Sequence, residues 1–590
     1  MMSRMFKAAL AVLLFLVFAW ALAAQAHPEF GTTVDFDDYV LFDKESAGDI
    51  YSLELYERRL KEIAELGFKR VYLRVNCLGL TLYPTKVARM YGDGYLWHWD
   101  YPIEAQRVIK TIRTYDVCRE TIRICHKYGM EAYAWESLAD GGPIFPKYAN
   151  VARFGEAAAA TRGAPLSDPF FFDLHPECYA MRNPRLSPDG KTADRLNAAA
   201  HRHPIAKIVC TELEKRPPLR IKGDSIVIYT SDDNMSYRRY DKPFRFEGGV
   251  NAEGFNTFTL SGLDIKANFV KFGHVASYDR SERTYTFAMH GTPNQMQVYN
   301  SQGEEIAAIW HANVIEPTGE KGVLDLSHSD ASAWDYGNRE IGFRVGVAFN
   351  PALAYHIGVP EYNVPLTMEH QLARFAELAA YPFDGFMMNI RTHSYVSHPE
   401  EYGFNPEVRE IYLKRYGKDI WTEDFDLGKL MEIRGEGIAR FYKGCKKLCG
   451  DRPFWISCTP PAPLGEKSVE KAFRGMGTHQ FAYIPWLYRT YFKDGSVDGV
   501  MMIGGDFSDY FTPEVTGGRE VKLGVFRECG GHLLKNPRYY PADYDFKADM
   551  TRLYGNPRLA CVELYETMTF NFNPALREAI RQVLRPTQKP

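Results

Sequence analysis

Four carboxylic acid side chains stand at or just beyond the ends of short apolar segments that are predicted to be strands. They are Glu136, Glu528, Glu566 and Asp506. Two carboxyls on opposite sides of a glycosidic bond can supply the acid and the base or nucleophile that hydrolysis needs, about 5–5.5 Å apart in retaining enzymes and about 6.5–9.5 Å apart in inverting ones. These four are therefore the candidate catalytic residues. Alternatively, Glu136 is a salt-bridge partner of Arg74 or Arg391, and Asp506 caps a loop.

Side chains suited to binding a substrate lie near the same predicted strand ends. They are Asn76, Arg74, Trp135, Asn389, Arg391 and His393. An amide can bind sugar hydroxyls, and a guanidinium can clamp a carboxylate or a pair of hydroxyls. An indole ring can stack on the apolar face of a sugar, and an imidazole can carry a proton near neutral pH. We expect these residues to line one pocket.

The elements that must position these residues repeat one pattern. An amphipathic helix ends at a glycine or a Pro-Asp-Gly turn, and a short β-rich strand follows, as in 70–76, 130–136, 386–391 and 498–503. Further strands are predicted at 33–40, 454–458, 521–526 and 559–564. Repeated alternation of helix and strand implies a parallel sheet, and eight strands predict a (β/α)8 TIM barrel of the α/β class.

The barrel rule ranks the candidates, because strand residues alternate between the interior and the surrounding helices. On the predicted third strand, Ala132, Ala134 and Glu136 share a face. The small residues suit a crowded barrel axis, so Glu136 is expected at the mouth. On the fourth strand, Asn389 shares the inward face with Arg391 and His393, which follow it along the chain.

Residues 205–312 break the pattern. Short alternating runs separated by Gly, Asn and Asp turns predict an all-β, sandwich-like module inserted between barrel strands 3 and 4. The barrel then comprises residues 27–204 and 313–590. The module could bind carbohydrate, or it could be a spacer or lid.

The first 26 residues have the pattern of a signal peptide. Arg4 and Lys7 precede an apolar stretch, and Ala24-Gln25-Ala26 offers a small-x-small cleavage site before His27. A retained membrane anchor is the alternative. Cleavage near Ala26 predicts a secreted or periplasmic protein with no membrane association afterwards.

The composition argues against several function classes. The net charge of -3 and the lack of a basic tract argue against nucleic-acid binding. We find no nucleotide-binding, metal-ligand or serine-hydrolase motif, so neither a cofactor nor a metal is expected. The 14% aromatic content suits a carbohydrate-binding protein but also a large core. The ten cysteines have no metal or redox spacing, and most are expected to be buried free thiols.

One segment resembles a known family. The sequence Asp384-Gly-Phe-Met-Met-Asn-Ile-Arg391 is similar to a strand of the bacterial proteins labelled family 10 glycosylhydrolase-like, and His175-Pro-Glu177 resembles their turn after the third strand. The resemblance implies a TIM barrel and a glycan substrate. Asn389 replaces the usual Asp of that strand, and an amide cannot act as acid, base or carboxylate nucleophile.

These observations favour a glycoside hydrolase acting on a poly- or oligosaccharide at the C-terminal face of the barrel. A carbohydrate-binding barrel without catalysis is the alternative suggested by Asn389. A lyase that uses His393 as base on an acidic glycan is a third possibility. The sugar, the linkage and the oligomeric state do not follow from the sequence.

Overall fold

The structure is a computed structural model. It describes the chain from residue 27 to 585, with internal gaps at 47, 78–79, 89, 92–101, 138–174, 182, 187–202, 212–225, 232–235, 268, 275–277, 280–283, 286–294, 307, 313–322, 326–343, 350–355, 390–402, 459–491 and 530–541. The signal-peptide segment lies outside the described residues. Among the described helices, none combines the length and the apolar character needed to cross a bilayer.

The first part of the chain alternates strands and helices. Its elements are β1 (Glu29–Val34), α1 (Phe36–Phe42), α2 (Leu53–Leu66), β2 (Arg70–Arg74), β3 (Asn76–Cys77), β4 (Leu80–Thr81), α3 (Pro102–Thr114), α4 (Val117–Lys127) and β5 (Glu131–Ser137).

Strands alone make up the described elements of the middle part, apart from two short 3-10 turns at Pro176–Cys178 and Pro184–Leu186. They are β6 (Tyr179–Met181), β7 (Ile205–Thr211), β8 (Ile226–Ser231), β9 (Ser236–Arg239), β10 (Arg245–Val250), β11 (Asn256–Ile265), β12 (Phe269–His274), β13 (Tyr278–Asp279), β14 (Thr284–Tyr285), β15 (Gln295–Asn300), β16 (Glu305–Ile306), β17 (Ala308–Ala312), β18 (Val323–Asp325), β19 (Arg344–Phe349) and β20 (His356–Pro360).

The last part returns to alternation. Its elements are α5 (Pro365–Ala379), β21 (Gly385–Asn389), α6 (Pro406–Tyr416), α7 (Leu427–Cys449), β22 (Phe454–Cys458), β23 (Gly499–Met502), a 3-10 turn at Ser508–Tyr510, α8 (Pro513–Thr516), β24 (Lys522–Glu528), α9 (Phe546–Tyr554), β25 (Cys561–Tyr565), α10 (Thr567–Asn571) and α11 (Pro574–Leu584).

Eight parallel strands close into a barrel in the order β1-β2-β5-β21-β22-β23-β24-β25. The predicted α/β class and (β/α)8 barrel are confirmed. Capping residues in the sequence mark the ends of the helices. Ser52, for example, accepts a hydrogen bond from the Leu55 amide before α2, and Gly67 ends that helix with φ of 106°. The same helix buries Tyr56, Leu60 and Ile63 against the core.

Large and absent side chains alternate around the barrel interior. The inward cluster is Tyr72, Tyr133, Trp135, Met387, Trp455, Met501, Phe526 and Cys561. Glycines on neighbouring strands make room for the rings, because a Cβ on Gly385 would lie 2.2 Å from Tyr133 and a Cβ on Gly499 would lie 2.4 Å from Trp455. The interior is therefore packed, which leaves the mouth as the place where such a barrel can bind a ligand.

The middle part forms two antiparallel sheets. A five-stranded sheet has the order β10-β11-β7-β15-β16, and a six-stranded sheet has the order β17-β19-β12-β8-β9-β18. Residues of both sheets share one hydrophobic core, in which the Phe258 and Phe272 rings lie 6.2 Å apart. These strands lie in the chain between β5 and β21, the third and fourth barrel strands. Since β19 pairs with β12 and β17, the predicted end at residue 312 falls inside the second sheet.

The predicted barrel strands match the structure within a few residues, with one exception. The first was expected at 33–40, but β1 ends at Val34 and helix α1 occupies 36–42. That boundary prediction is wrong, because the apolar residues Phe36, Tyr39 and Val40 have helical spacing and are all fully buried. Nine of the ten cysteines are buried and free, and the expectation was that most would be.

Candidate active site

Glu136 does not face the barrel interior. Its neighbours on β5, Tyr133 and Trp135, belong to the inward cluster, so alternation turns Glu136 outward. Its Oε1 accepts hydrogen bonds from Nε (3.0 Å) and NH2 (2.5 Å) of Arg374 on α5, and both side chains are at most 5% exposed. The prediction that Glu136 faces the barrel interior is wrong. The alternative of a salt bridge holds, with Arg374 as the partner.

Asp506 caps a loop away from the mouth. Its Oδ1 accepts from the Ser508 amide at 3.2 Å, and its Oδ2 accepts from Asn556 Nδ2 at 2.9 Å. Arg552 lies 3.7 Å away at the end of α9. The loop after α9 leads into the N-terminal end of β25. These contacts therefore hold Asp506 near the N-terminal ends of the barrel strands, opposite the mouth.

Arg74 lies at the mouth, but its guanidinium is engaged. NH1 donates to Asp35 Oδ2 at 2.6 Å, and Nε donates to the Asn76 carbonyl at 3.0 Å. Its guanidinium carbon lies 5.6 Å from the centre of the Trp135 ring. Trp135 faces inward and is 1% exposed, so it forms the floor beneath Arg74 and offers no open face for stacking.

Asn76 and Asn389 form hydrogen bonds with residues of neighbouring barrel strands. The Asn76 amide group donates to the Ser137 carbonyl at 3.1 Å, and its oxygen accepts from the Ser137 amide at 2.8 Å. Asn389 faces inward as expected, is fully buried, and accepts from Ser457 Oγ at 3.0 Å. Arg391 and His393 lie outside the described residues, so the expectation that they join Asn389 in the pocket stays a prediction.

Glu528 ends β24 with the inward alternation of Gly524 and Phe526, as expected, and is partly exposed. It lies beside Tyr565 in the register with β25. Glu563 also faces inward but is fully buried, with Oε1 accepting from Thr33 Oγ1 at 2.5 Å. Glu563 therefore lies inside the barrel, whereas Glu528 is partly exposed at the mouth.

A cluster of three carboxyls joins the first and last barrel strands at their C-terminal ends. Oxygens of Asp35, Asp38 and Glu566 all lie within 4.8 Å of one another. We call this the carboxyl triad. Asp35 follows β1 directly, Asp38 is in the first turn of α1, and Glu566 follows β25. Asp35 is 3% exposed, and Asp38 and Glu566 are partly exposed, so two members of the triad can reach a ligand.

Two carboxyls of the triad, those of Asp35 and Asp38, have raised pKa values. Burial raises the pKa of Asp38 well above its ordinary value, and the nearby charges of Glu566, Asp35 and Asp37 add to this. Burial and Asp37 likewise raise the pKa of Asp35, against the opposing effect of Arg74. Asp38 and Glu566 are also joined by a side-chain hydrogen bond, which requires a proton between them. A shared proton lets one carboxyl of such a pair act as an acid and the other as a base.

Sequence reasoning named Glu566 but missed its two partners. The first strand was expected to run through Asp35 and Asp38, which hid their position at a strand end. A signal was present, because an Asp N-cap followed by acidic residues in the first turn is typical of a helix start. Asp35 occupies that N-cap position, and Asp37 and Asp38 lie in the first turn.

The triad also has the chemistry of a cation site. Three carboxylate oxygens suit a hard cation such as Ca²⁺ or Mg²⁺. Arg74 already supplies a positive charge to Asp35, and a proton between Asp38 and Glu566 reduces the negative charge that would attract a metal.

Comparisons with known proteins do not show a family for this chain. No family model and no curated protein matches the chain. The catalytic domain of β-amylase from Paenibacillus polymyxa is similar at 8% identity and a TM-score of 0.38, over 96% of this chain and 100% of that one. The structure of TcOYE with pHBA matches at 14% identity and a TM-score of 0.22, over 39% of this chain and 54% of that one. Neither likeness carries an argument about activity, and the barrel assignment rests on strand pairing.

Proposed function

We propose that this protein is a glycoside hydrolase whose catalytic carboxyls are Asp38 and Glu566. The observation that carries the proposal is the carboxyl triad, with oxygens within 4.8 Å at the C-terminal ends of the first and last strands. This is the end of a (β/α)8 barrel at which catalytic residues are found. Hydrolysis of a glycosidic bond requires two carboxyls, and Asp38 and Glu566 are the partly exposed pair of the triad.

The raised pKa of Asp38 indicates which of the two carboxyls acts as the acid and which as the nucleophile. Burial, and after it the charge of Glu566, raise the pKa of Asp38, and a raised pKa suits Asp38 to the role of the acid. Asp38 then donates a proton to the leaving oxygen as general acid. Glu566 attacks the anomeric carbon as nucleophile. Asp35, held by Arg74 and by the Tyr565 hydroxyl at 3.3 Å, is a positioning residue beside the pair.

The spacing favours retention of configuration. Inverting enzymes separate their carboxyls by about 6.5–9.5 Å to admit a water molecule, whereas retaining enzymes need about 5–5.5 Å. One oxygen from each triad carboxyl lies within 4.8 Å of the others, which is closer to the retaining spacing, and the hydrogen bond between Asp38 and Glu566 has to open to admit the glycosidic bond. Hydrolysis then proceeds through a glycosyl–Glu566 intermediate, which water releases with Asp38 acting as base.

The proposal is tested with Asp38→Asn and Glu566→Gln, assayed for reducing ends released from a panel of polysaccharides. Both are expected to lower kcat by at least a thousandfold while the far-ultraviolet circular dichroism is unchanged. Asp49→Asn is the matched control, because its side chain is 88% exposed and pairs with Lys110. Full activity in either triad variant would reject the assignment.

We further propose that the protein is exported. The expected cleavage after Ala26 precedes β1, which begins at Glu29, so removal of the leader leaves the barrel strands intact. Mass spectrometry of the secreted or periplasmic protein should find His27 at the N-terminus. A retained leader in the membrane fraction would contradict this.

A further inference from the structure

The two proposed catalytic carboxyls come from opposite ends of the chain, and each is followed directly by a fully buried residue with a hydroxyl group. Tyr39 follows Asp38 in helix α1, and Thr567 follows Glu566 as the first residue of α10. The hydrogen bond between Asp38 and Glu566 has to open when a glycosidic bond enters. A bound substrate therefore leaves the spacing of the pair dependent on other contacts.

A chain of buried hydrogen bonds supplies those contacts. The Thr567 hydroxyl donates to the Thr33 carbonyl on β1, and the side chains of Tyr39 and Thr567 are joined by a further hydrogen bond. Because Thr567 has one hydroxyl proton, which goes to the carbonyl, Tyr39 is the donor in that second bond. Asn571 on α10 donates from Nδ2 to the Tyr39 hydroxyl at 3.0 Å. Thr567 is thus held by the chain both before and after Asp38.

Burial makes these hydrogen bonds costly to break. Burial raises the pKa of Tyr39 above its ordinary value, so its hydroxyl keeps the proton that it donates. Thr32 Oγ1 lies 3.3 Å from Thr567 Oγ1 and donates to the Leu564 carbonyl at 2.9 Å, which adds a contact between β1 and the end of β25. Removing one partner leaves a buried polar group unsatisfied, because water cannot replace it. The contacts therefore oppose separation of the two segments.

Resting on the proposed hydrolase function, we propose that Tyr39 and Thr567 are positioning residues that set the spacing of the two catalytic carboxyls. Neither hydroxyl touches the substrate in this role, since both side chains are fully buried. Each acts through the backbone on the catalytic residue to which it is covalently joined. The link stays in place when the hydrogen bond between Asp38 and Glu566 opens.

The size of the effect depends on what else holds Glu566. The Cys529 amide donates to the Tyr565 carbonyl at 2.6 Å, so β24 secures the chain on the other side of Glu566. Loss of the Thr567 hydroxyl therefore shifts Glu566 without releasing it. A misplacement of about 1 Å can lower a rate about a hundredfold, and with the β24 contact retained we expect a loss of about tenfold.

The experiment compares Thr567→Val with Thr567→Ser, which keeps the hydroxyl and removes a methyl group. Crystal structures give the shortest distance between the Asp38 and Glu566 oxygens, and reducing-end assays give kcat and KM. Thr567→Val should widen that distance by about 1 Å and lower kcat about tenfold with KM within about twofold, because substrate binding does not use the hydroxyl. Thr567→Ser should keep the wild-type distance and kcat. Tyr39→Phe, which breaks the link from the other side, should widen the distance as well.

Thr121→Val is the matched control, because the Thr121 hydroxyl makes the same two kinds of contact elsewhere. Thr121 Oγ1 donates to the Val117 carbonyl at 2.7 Å and lies 2.7 Å from the Tyr56 hydroxyl, where α4 packs against α2. Like Thr567, it is fully buried. Thr121→Val should lower the urea midpoint about as much as Thr567→Val does, while the carboxyl distance and kcat stay at their wild-type values.

The outcomes separate the positioning role from the hydrolase proposal. An unchanged carboxyl distance in either Thr567→Val or Tyr39→Phe overturns the positioning role, whether or not a polymer is cleaved. An equal loss of kcat in Thr567→Val and Thr121→Val also overturns it, since lower stability alone would then explain the loss. A wider distance in both variants, with a wild-type protein that cleaves no polymer, supports the positioning role and rejects the hydrolase.

Discussion

Glu136→Gln distinguishes a structural glutamate from a catalytic one. The substitution removes the charge that balances Arg374 while keeping the shape of the side chain. Both side chains are at most 5% exposed, so solvent does not screen the loss. Removing one partner of a buried ion pair costs about 3–5 kcal/mol, since the other charge stays buried. Because the amide oxygen can still accept from Arg374, we expect the lower end, about 3 kcal/mol.

The assay is urea unfolding followed by circular dichroism, with activity measured per folded molecule. We expect a lower midpoint and near-normal kcat. The double variant Glu136→Leu with Arg374→Met is the control, because replacing both charges by apolar groups is often neutral. A thousandfold loss of kcat in a fully stable Glu136→Gln protein would refute the outward placement of this residue.

Three further predictions concern the barrel. Gly385→Ala places a Cβ 2.2 Å from the Tyr133 ring and should cost about 1–3 kcal/mol in urea unfolding, whereas an unchanged midpoint would contradict the packed interior. The pKa of Asp38 is raised on folding, so the folded state holds its proton more tightly. Its contribution to stability should therefore fall as the pH rises above about 4, the ordinary pKa of Asp, and Asp38→Asn should flatten that slope. A slope that persists in the variant would show that other groups cause it. Asn389→Asp should add no activity and should lower stability, because the new carboxylate is fully buried beside Ser457; a gain in kcat would restore a catalytic role for this position.

The barrel could be predicted from the sequence because local signals agree with the fold. Glycine stops after amphipathic helices and short apolar strands recur, and the structure closes eight of them in sequence order. The inward face of the fourth strand was also predictable, since Gly385 and Asn389 differ in character from Phe386 and Met388. The inward face of the third strand was predicted wrongly. The small alanines on one face suggested that this face lies at the crowded barrel axis, whereas Tyr133 and Trp135 on the other face fill the barrel interior.

The site was harder to predict because it depends on contacts between the two ends of the chain. Glu566 and Asp38 are separated by more than five hundred residues in the sequence and meet only when β25 closes against β1. No local sequence pattern predicts that Asp38 and Glu566 lie close together in the fold. An error of a few residues at the end of β1 was enough to hide Asp35, since the position of a residue relative to a strand end decides whether it reaches the mouth.

The central claim is that Glu566 and Asp38 act on the two sides of a glycosidic bond. It is tested most directly with a 2-deoxy-2-fluoro glycoside bearing a good leaving group, which accumulates the glycosyl-enzyme of a retaining hydrolase. Peptide mass spectrometry should find the sugar on Glu566, and Glu566→Gln should abolish the label. A label on Glu528, or turnover of substrate with inversion and no label, would contradict the assignment.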